Sequence, residues 1–266
     1  MTWSTLPGAG RMFHEQAPDQ SRQKREFLII AGILLCVVAI AAAAYFLSGY
    51  SRDMGIAVIR IDGVIVTGDY YGNGYTGSEY AGRLIRDAAD DPIIDAIVIR
   101  INSPGGTPAA AQEIVADVKY AREKKPVVVS MGDVATSSAY YISAYADRIY
   151  ADPDTLTGGI GTAWTFFDIS GWMEQENLTV EVIKSGSMKD LGSEYRPLTD
   201  EERLYAGELV NASFERFIAD VLSERAIERS NIEDARIVRG EEALQMGLVD
   251  ELGNLFDAID GARELS

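Results

Sequence analysis

The apolar positions of this chain change their rhythm along its 266 residues. Phe27 to Leu47, FLIIAGILLCVVAIAAAAYFL, is 21 residues without a charge, long enough to span a hydrocarbon core of about 30 Å. From residue 56 onward, short β-branched runs alternate with stretches of helical spacing. Ile56–Ile61 predicts a strand that continues through Gly63–Val66 after a bend. Tyr70–Gly77 reads as a turn-rich loop, and Ser78 opens a helix to about Ala89. Ile94–Ile101, IDAIVIRI, has the near-continuous apolar character of a strand buried on both faces. Thr107 or Pro108 opens a helix to about Glu123. Val127–Met131, Arg148–Ala151 and Val180–Ile183 predict further strands. Thr199–Arg225 is a long helical region with an acidic first turn. Glu241–Met246 predicts a short helix stopped by Gly247, and Leu255–Arg263 a last one. This alternation predicts an α/β fold, a mostly parallel sheet flanked by helices, preceded by one N-terminal transmembrane helix. The expected divisions are a polar tail over 1–26, an anchor over 27–48, a linker over 49–55 and one folded domain over 56–266. No internal repeat exists at domain scale.

Charge orients this arrangement. Arg22, Lys24 and Arg25 precede the apolar run, so the tail is expected in the cytoplasm and the domain outside the cell membrane. A cleaved signal peptide is the rival, because Ala41–Ala44 offers small residues for cleavage. The 26-residue polar leader and the length of the run favour an uncleaved, single-pass anchor held in membrane lipid. The net charge of −17 falls almost wholly on the domain, since residues 1–26 carry four Lys/Arg and three Asp/Glu. Such a surface repels nucleic acid and anionic headgroups. Cys36, the single cysteine, lies in the apolar run, which excludes an intrachain disulfide and a cysteine metal site. The single histidine, His14, lies in the tail, which excludes a histidine metal site in the domain. No EF-hand spacing is present.

The residues with chemistry cluster in three places. Gly132–Ser143, GDVATSSAYYIS, passes from a strand through small residues to a helix that starts with two serines. A serine there exposes its hydroxyl at the end of a sheet, near unsatisfied backbone N–H groups. Several unrelated hydrolases keep a nucleophile in such a place, although Ser and Thr are also the commonest helix caps. With His14 across a bilayer, a Ser-His-Asp triad is impossible, and lysine is the known substitute base. Lys184 and Lys189, in Val182–Asp190, are both candidates on these grounds, though most lysines are simply solvated. A lysine with a free pKa of about 10.4 must be desolvated before it accepts a proton at neutral pH, and Met188 and Leu191 are apolar neighbours suited to that. Asn102–Gly106, NSPGG, lies between a buried strand and a helix. Pro104 fixes one φ and the two glycines permit close backbone approach, as either a plain turn or an amide cradle.

Five stretches in one order, Asn102–Gly106, Met131–Ser143, Thr157–Gly161 (TGGIG), Lys184–Asp190 and Ala243–Asp250 (ALQMGLVD), together resemble the signal peptide peptidase family of serine-lysine proteases in its short, single-domain form. The resemblance runs from about Ile56 to Ala262. It implies a ClpP/crotonase-like fold, with Ser137 as nucleophile, three residues before Tyr140. It also implies Lys189 as base, directly before Asp190 and 52 residues after Ser137. It further implies an oxyanion hole from the N–H of Gly105 or Gly106 together with that of Ser138, no cofactor and no metal. The expected partners are peptide substrates, namely signal peptides left in the membrane after secretion, and further copies of the chain in a homo-oligomeric ring. Gly159 departs from the pattern: the family carries a serine there whose hydroxyl holds the lysine amine. Thr157, Thr162, Ser185, Ser187 or a water are the possible substitutes. Ala243–Asp250 reads as structural. Tyr70–Tyr75 and Trp164, Phe166 and Phe167 line either a substrate groove or a core. The rivals are a quality-control protease acting on stomatin-like or other membrane proteins, a crotonase-type acyl-CoA enzyme, and an inactive scaffold.

Overall fold

A computed structural model describes residues 20–47 and 55–266, and the chain divides into two compact units between Asp53 and Met54. His14, most of the expected tail and the expected linker, except Gly55, lie outside the described residues. In the first unit, Gln20–Leu47 form one 28-residue helix, α1, which begins within the expected tail. Among the described residues no helix is long and apolar enough to cross a membrane.

The second unit is built on a mainly parallel sheet. Its spine is β1 (Gly55–Asp62), β5 (Ile94–Ser103), β6 (Val127–Thr136), β7 (Arg148–Ala151) and β10 (Glu251–Leu252), side by side in that order. Ile97, Ile99 and Ile101 of β5 are fully buried, each stabilising the fold by roughly 1.5–3 kcal/mol. α2 (Ser78–Asp90), α3 (Pro108–Arg122) and α4 (Ser138–Ser143) contribute Ile85, Ile114 and Ile142 to the same cluster, as α6 (Asp200–Glu224) does with Ile218 and Val221. A second, smaller cluster joins Ala96, Val98, Val128 and Tyr150 of the sheet to Ala258 and Ala262 of α8 (Leu255–Leu265). The central strands are thus covered by apolar contacts from two clusters, as their sequence requires.

Several elements differ from expectation. Gly63 (φ +72) turns the chain out of β1, where a side chain would collide with the Gly74 carbonyl. β2 (Val64–Val66) therefore pairs not with the main sheet but with β4 (Tyr75–Gly77), which also carries β3 (Tyr71–Gly72). The expected loop over Tyr70–Gly77 thus holds two short strands. β6 runs on through the small residues to Thr136, because its far end gains a new parallel neighbour, β8 (Leu156–Gly158). β8 pairs in turn with antiparallel β9 (Ile237–Arg239). Finally, Val180–Ile183 is not a strand, and Ile183 is 94% exposed. Alternation becomes a strand only where a neighbour completes the ladder, and among the described residues none does here. The same region holds only one short helix, α5 (Ser170–Gln175). The expected 241–246 helix is α7 (Gly240–Met246), which ends at Gly247 in the left-handed conformation.

Candidate active site

Ser137 stands between β6 and α4 with φ 55 and ψ −125. That is a backbone conformation an L-residue adopts only when its surroundings hold it. The restraints are visible. The Ser137 N–H donates to the Gly158 carbonyl at 2.9 Å, and its own carbonyl accepts from the Tyr141 N–H at 2.9 Å. On one side Thr136 Oγ1 donates to the Pro104 carbonyl at 3.0 Å, and on the other Ser138 Oγ donates to the Gly106 carbonyl at 3.0 Å. α4 itself is buried throughout. Tyr140 reaches the Leu248 carbonyl at 3.0 Å, and Tyr141 reaches Asp220 of α6 at 2.5 Å. Burial, then that carboxylate, push the Tyr141 hydroxyl far above the usual phenol range, so it stays protonated and structural.

The Asn102–Gly106 loop is pressed against this turn. Gly105 has φ +106, and a Cβ there would lie 2.8 Å from Ser137 Cβ; one at Gly106 would strike the Ile65 carbonyl. Only glycines allow this approach. The two amides are not equivalent. The Gly105 N–H is spent on Ser103 Oγ at 3.0 Å. The Gly106 and Ser138 N–H groups have no acceptor among the described residues. The cradle expected from Gly105, Gly106 and Ser138 therefore narrows to the last two.

Ser137, Ser138 and Gly106 line a cavity of about 470 Å³. Pro104, Ala111, Phe217 and Ile237 supply apolar wall, and Arg216 is the sole charged lining residue. The lining thus contains no carboxylate, lysine or histidine, and an arginine does not act as a base near neutrality. A proton acceptor for Ser137 has to arrive from outside the lining. Lys189 is exposed and is not among the lining residues; its N–H donates to the Gly186 carbonyl at 3.2 Å. Lys184 is engaged elsewhere, on Asp190 and on the Ser187 carbonyl at 2.9 Å. Arg196 bridges Asp190 to Glu202 of α6, and it and Lys184 hold the Asp190 carboxyl well below its usual range.

Gly159 has φ +61 and lines the cavity. Of the hydroxyls that could replace the absent serine, Thr157 is spent on the Ala135 carbonyl at 2.8 Å and Thr162 on Ser213 at 3.1 Å. Ser185 and Ser187 are exposed on the lysine loop. Trp164 and Phe166 stack on each other at 4.8 Å, while Phe167 is 72% exposed, so these aromatics form neither cavity wall nor core. Among the described residues no group of acidic, cysteine or histidine side chains could hold a metal ion.

A strained serine lining a cavity beside unspent amides, on a mainly parallel α/β sheet flanked by helices, fits the ClpP-like fold. The profile of peptidase family S49 matches residues 119–266, and the chain belongs to that family. It is 35% identical over 215 residues to Protease 4 of Salmonella typhi, covering 79% of this chain and 34% of that protein. It is 33% identical over 184 residues to the chloroplastic serine protease SPPA of Arabidopsis thaliana, covering 68% of this chain and 27% of that one. The chain thus spans about a third of these relatives, and 62% of a Methanocaldococcus jannaschii relative that is 33% identical. Among solved structures, the membrane-bound stomatin-specific protease 1510-N, as a serine-to-alanine mutant, superposes with a TM-score of 0.54. It is 18% identical, with 79% of this chain and 84% of that one covered, which establishes the shared fold.

Proposed function

We propose that this chain is a membrane-anchored serine endopeptidase that degrades signal peptides left in the membrane, with Ser137 as nucleophile and Lys189 as base. The observation that carries the reading is Ser137 itself, strained at φ 55 and open to an apolar cavity beside the unspent N–H groups of Gly106 and Ser138. In this mechanism Ser137 Oγ attacks a peptide carbonyl while Lys189 Nζ takes its proton. The carbonyl oxygen gains negative charge between the Gly106 and Ser138 amides. Collapse of the intermediate breaks the C–N bond, and Lys189 returns the proton to the departing amine. Water then attacks the acyl-enzyme by the same route in reverse roles, releasing the acid and free Ser137. The chemistry needs no cofactor.

Because the lining offers no base, the proposal requires the 184–190 segment to close over the cavity. We assign that closure to assembly of several copies into a ring, whose contacts would cover the exposed Trp164, Phe167 and Ile183. The 27–48 segment would anchor the chain with its N-terminus in the cytoplasm and residues 56–266 outside. A second reading, cleavage of stomatin-like membrane proteins, takes its motive from the fold neighbour's name.

The deciding experiment incubates the full chain, wild type and Ser137→Ala, with a fluorophosphonate probe and a signal-peptide library. Labelling and cleavage that both vanish in Ser137→Ala support the peptidase reading. An unlabelled wild type sinks it in favour of the acyl-CoA or scaffold alternatives. Cleavage confined to stomatin-derived segments selects the second reading.

A further inference from the structure

Arg216 is the one charged side chain in the wall of the Ser137 cavity, and among the described residues nothing pairs with it. It lies on α6, is exposed, and makes no hydrogen bond or ion pair among the described residues. The acids nearest it on the helix are already taken: Glu215 by Arg229, at 2.6 and 2.8 Å, and Asp220 by the Tyr141 hydroxyl. The two arginines that follow α6 are paired, Arg225 with Asp250 and Arg229 with Glu215. In a chain of net charge −17, carboxylates are plentiful, yet none reaches this guanidinium.

An unpaired guanidinium beside a neutral, largely apolar pocket presents a fork of N–H donors that matches a carboxylate, with little competing charge to screen it. The acidic surface repels anionic peptides at long range, so a local cation is what lets one be held. We propose that Arg216 is a specificity-determining residue that receives a carboxylate of the bound peptide. This rests on the peptidase reading and adds the chemistry of the substrate. The carboxylate comes either from an Asp or Glu side chain or from the free C-terminus of a short peptide.

The test uses the purified full chain and internally quenched peptides in which one Glu is walked, against Gln, through the positions flanking the cleaved bond. In the wild type, Glu at one position raises kcat/KM about three- to tenfold over Gln, and added salt reduces that ratio. Arg216→Gln brings the ratio to about one, Arg216→Lys keeps a preference for Glu, and Arg216→Glu inverts it in favour of Lys. Peptides ending at the same position, as free acid and as amide, distinguish the two sources. A larger acid-to-amide ratio than Glu-to-Gln ratio assigns the site to the chain terminus. The proposal is overturned if no position shows either preference, or if the preference survives in Arg216→Gln. Neutral peptides separate the two levels of failure. Their cleavage without any charge preference refutes the role of Arg216 alone, whereas no cleavage of any peptide refutes the peptidase reading and this proposal with it.

Discussion

Holding a side chain at φ 55 and ψ −125 costs about 1–3 kcal/mol, and at Ser137 the cost is separable from the chemistry. Ser137→Ala and Ser137→Gly both remove the hydroxyl, but only glycine adopts this backbone freely. Thermal unfolding should therefore find Ser137→Gly more stable than Ser137→Ala by roughly 1 kcal/mol, with both inactive. Equal stabilities would mean that the turn is not strained. Ser137→Ala, Lys189→Ala and their combination should each lower peptide cleavage by at least about a thousandfold, and to similar extents, because members of one catalytic unit are not additive. Full activity in either single variant would remove that residue from the mechanism. Ser138→Ala should keep most activity, since its hydroxyl serves the Gly106 carbonyl. At Gly159 a Cβ finds ordinary contacts from 3.4 Å outward, so the obstacle to a side chain is φ +61, worth about 1–2 kcal/mol. Serine and alanine share that cost. A higher rate for Gly159→Ser than for Gly159→Ala at fixed pH would show that a hydroxyl there orients the base, and equal rates would end that idea.

Among the elements, the junction between the lysine loop and α6 carries a pH dependence of stability. Arg196 donates to Glu202 at 2.6 and 2.8 Å, and Glu202 is 1% exposed while completing a capping box with Thr199. Arg196 first, then the Thr199 N–H, pull the Glu202 carboxyl from 4.5 to about 2. A folded-state value below the unfolded one gives stability that is complete above about pH 4.5 and is lost as pH falls toward 2. Arg196→Met should therefore move the acid transition followed by circular dichroism to higher pH; an unchanged midpoint would mean that the pair contributes nothing. Sequence pattern was a good guide wherever an element buries a face within its own unit, as β5, α3 and α8 do. It failed for β8 and β9, three residues each, whose pairing is decided by segments eighty residues apart. It over-read Val180–Ile183, which has the alternation without the neighbour. The close approach of the glycine loop to Ser137 was legible because only small residues fit there. Arg216 was not, since an arginine on an amphipathic helix looks like any solvated charge until the cavity beside it is seen.

At the scale of the molecule, the proposed closure of Lys189 by neighbouring copies makes activity depend on concentration. Peptide cleavage per chain should rise as the full chain is concentrated, in step with its assembly measured by light scattering. A constant specific activity across the dissociation range would show that one copy suffices. The proposed topology is checked by adding protease to intact spheroplasts, which should digest residues 56–266 and spare an N-terminal tag. The pairing of β8 with β9 carries one more consequence, in time rather than in space. Ser137 is held by the Gly158 carbonyl, and the next amide, Gly159, is held by the carbonyl of Arg236. Ser137, made halfway along the chain, cannot be set until a segment made about a hundred residues later has arrived. A nascent chain thus lacks the finished turn, and the Ser137 backbone takes its final form only after synthesis has passed Arg239.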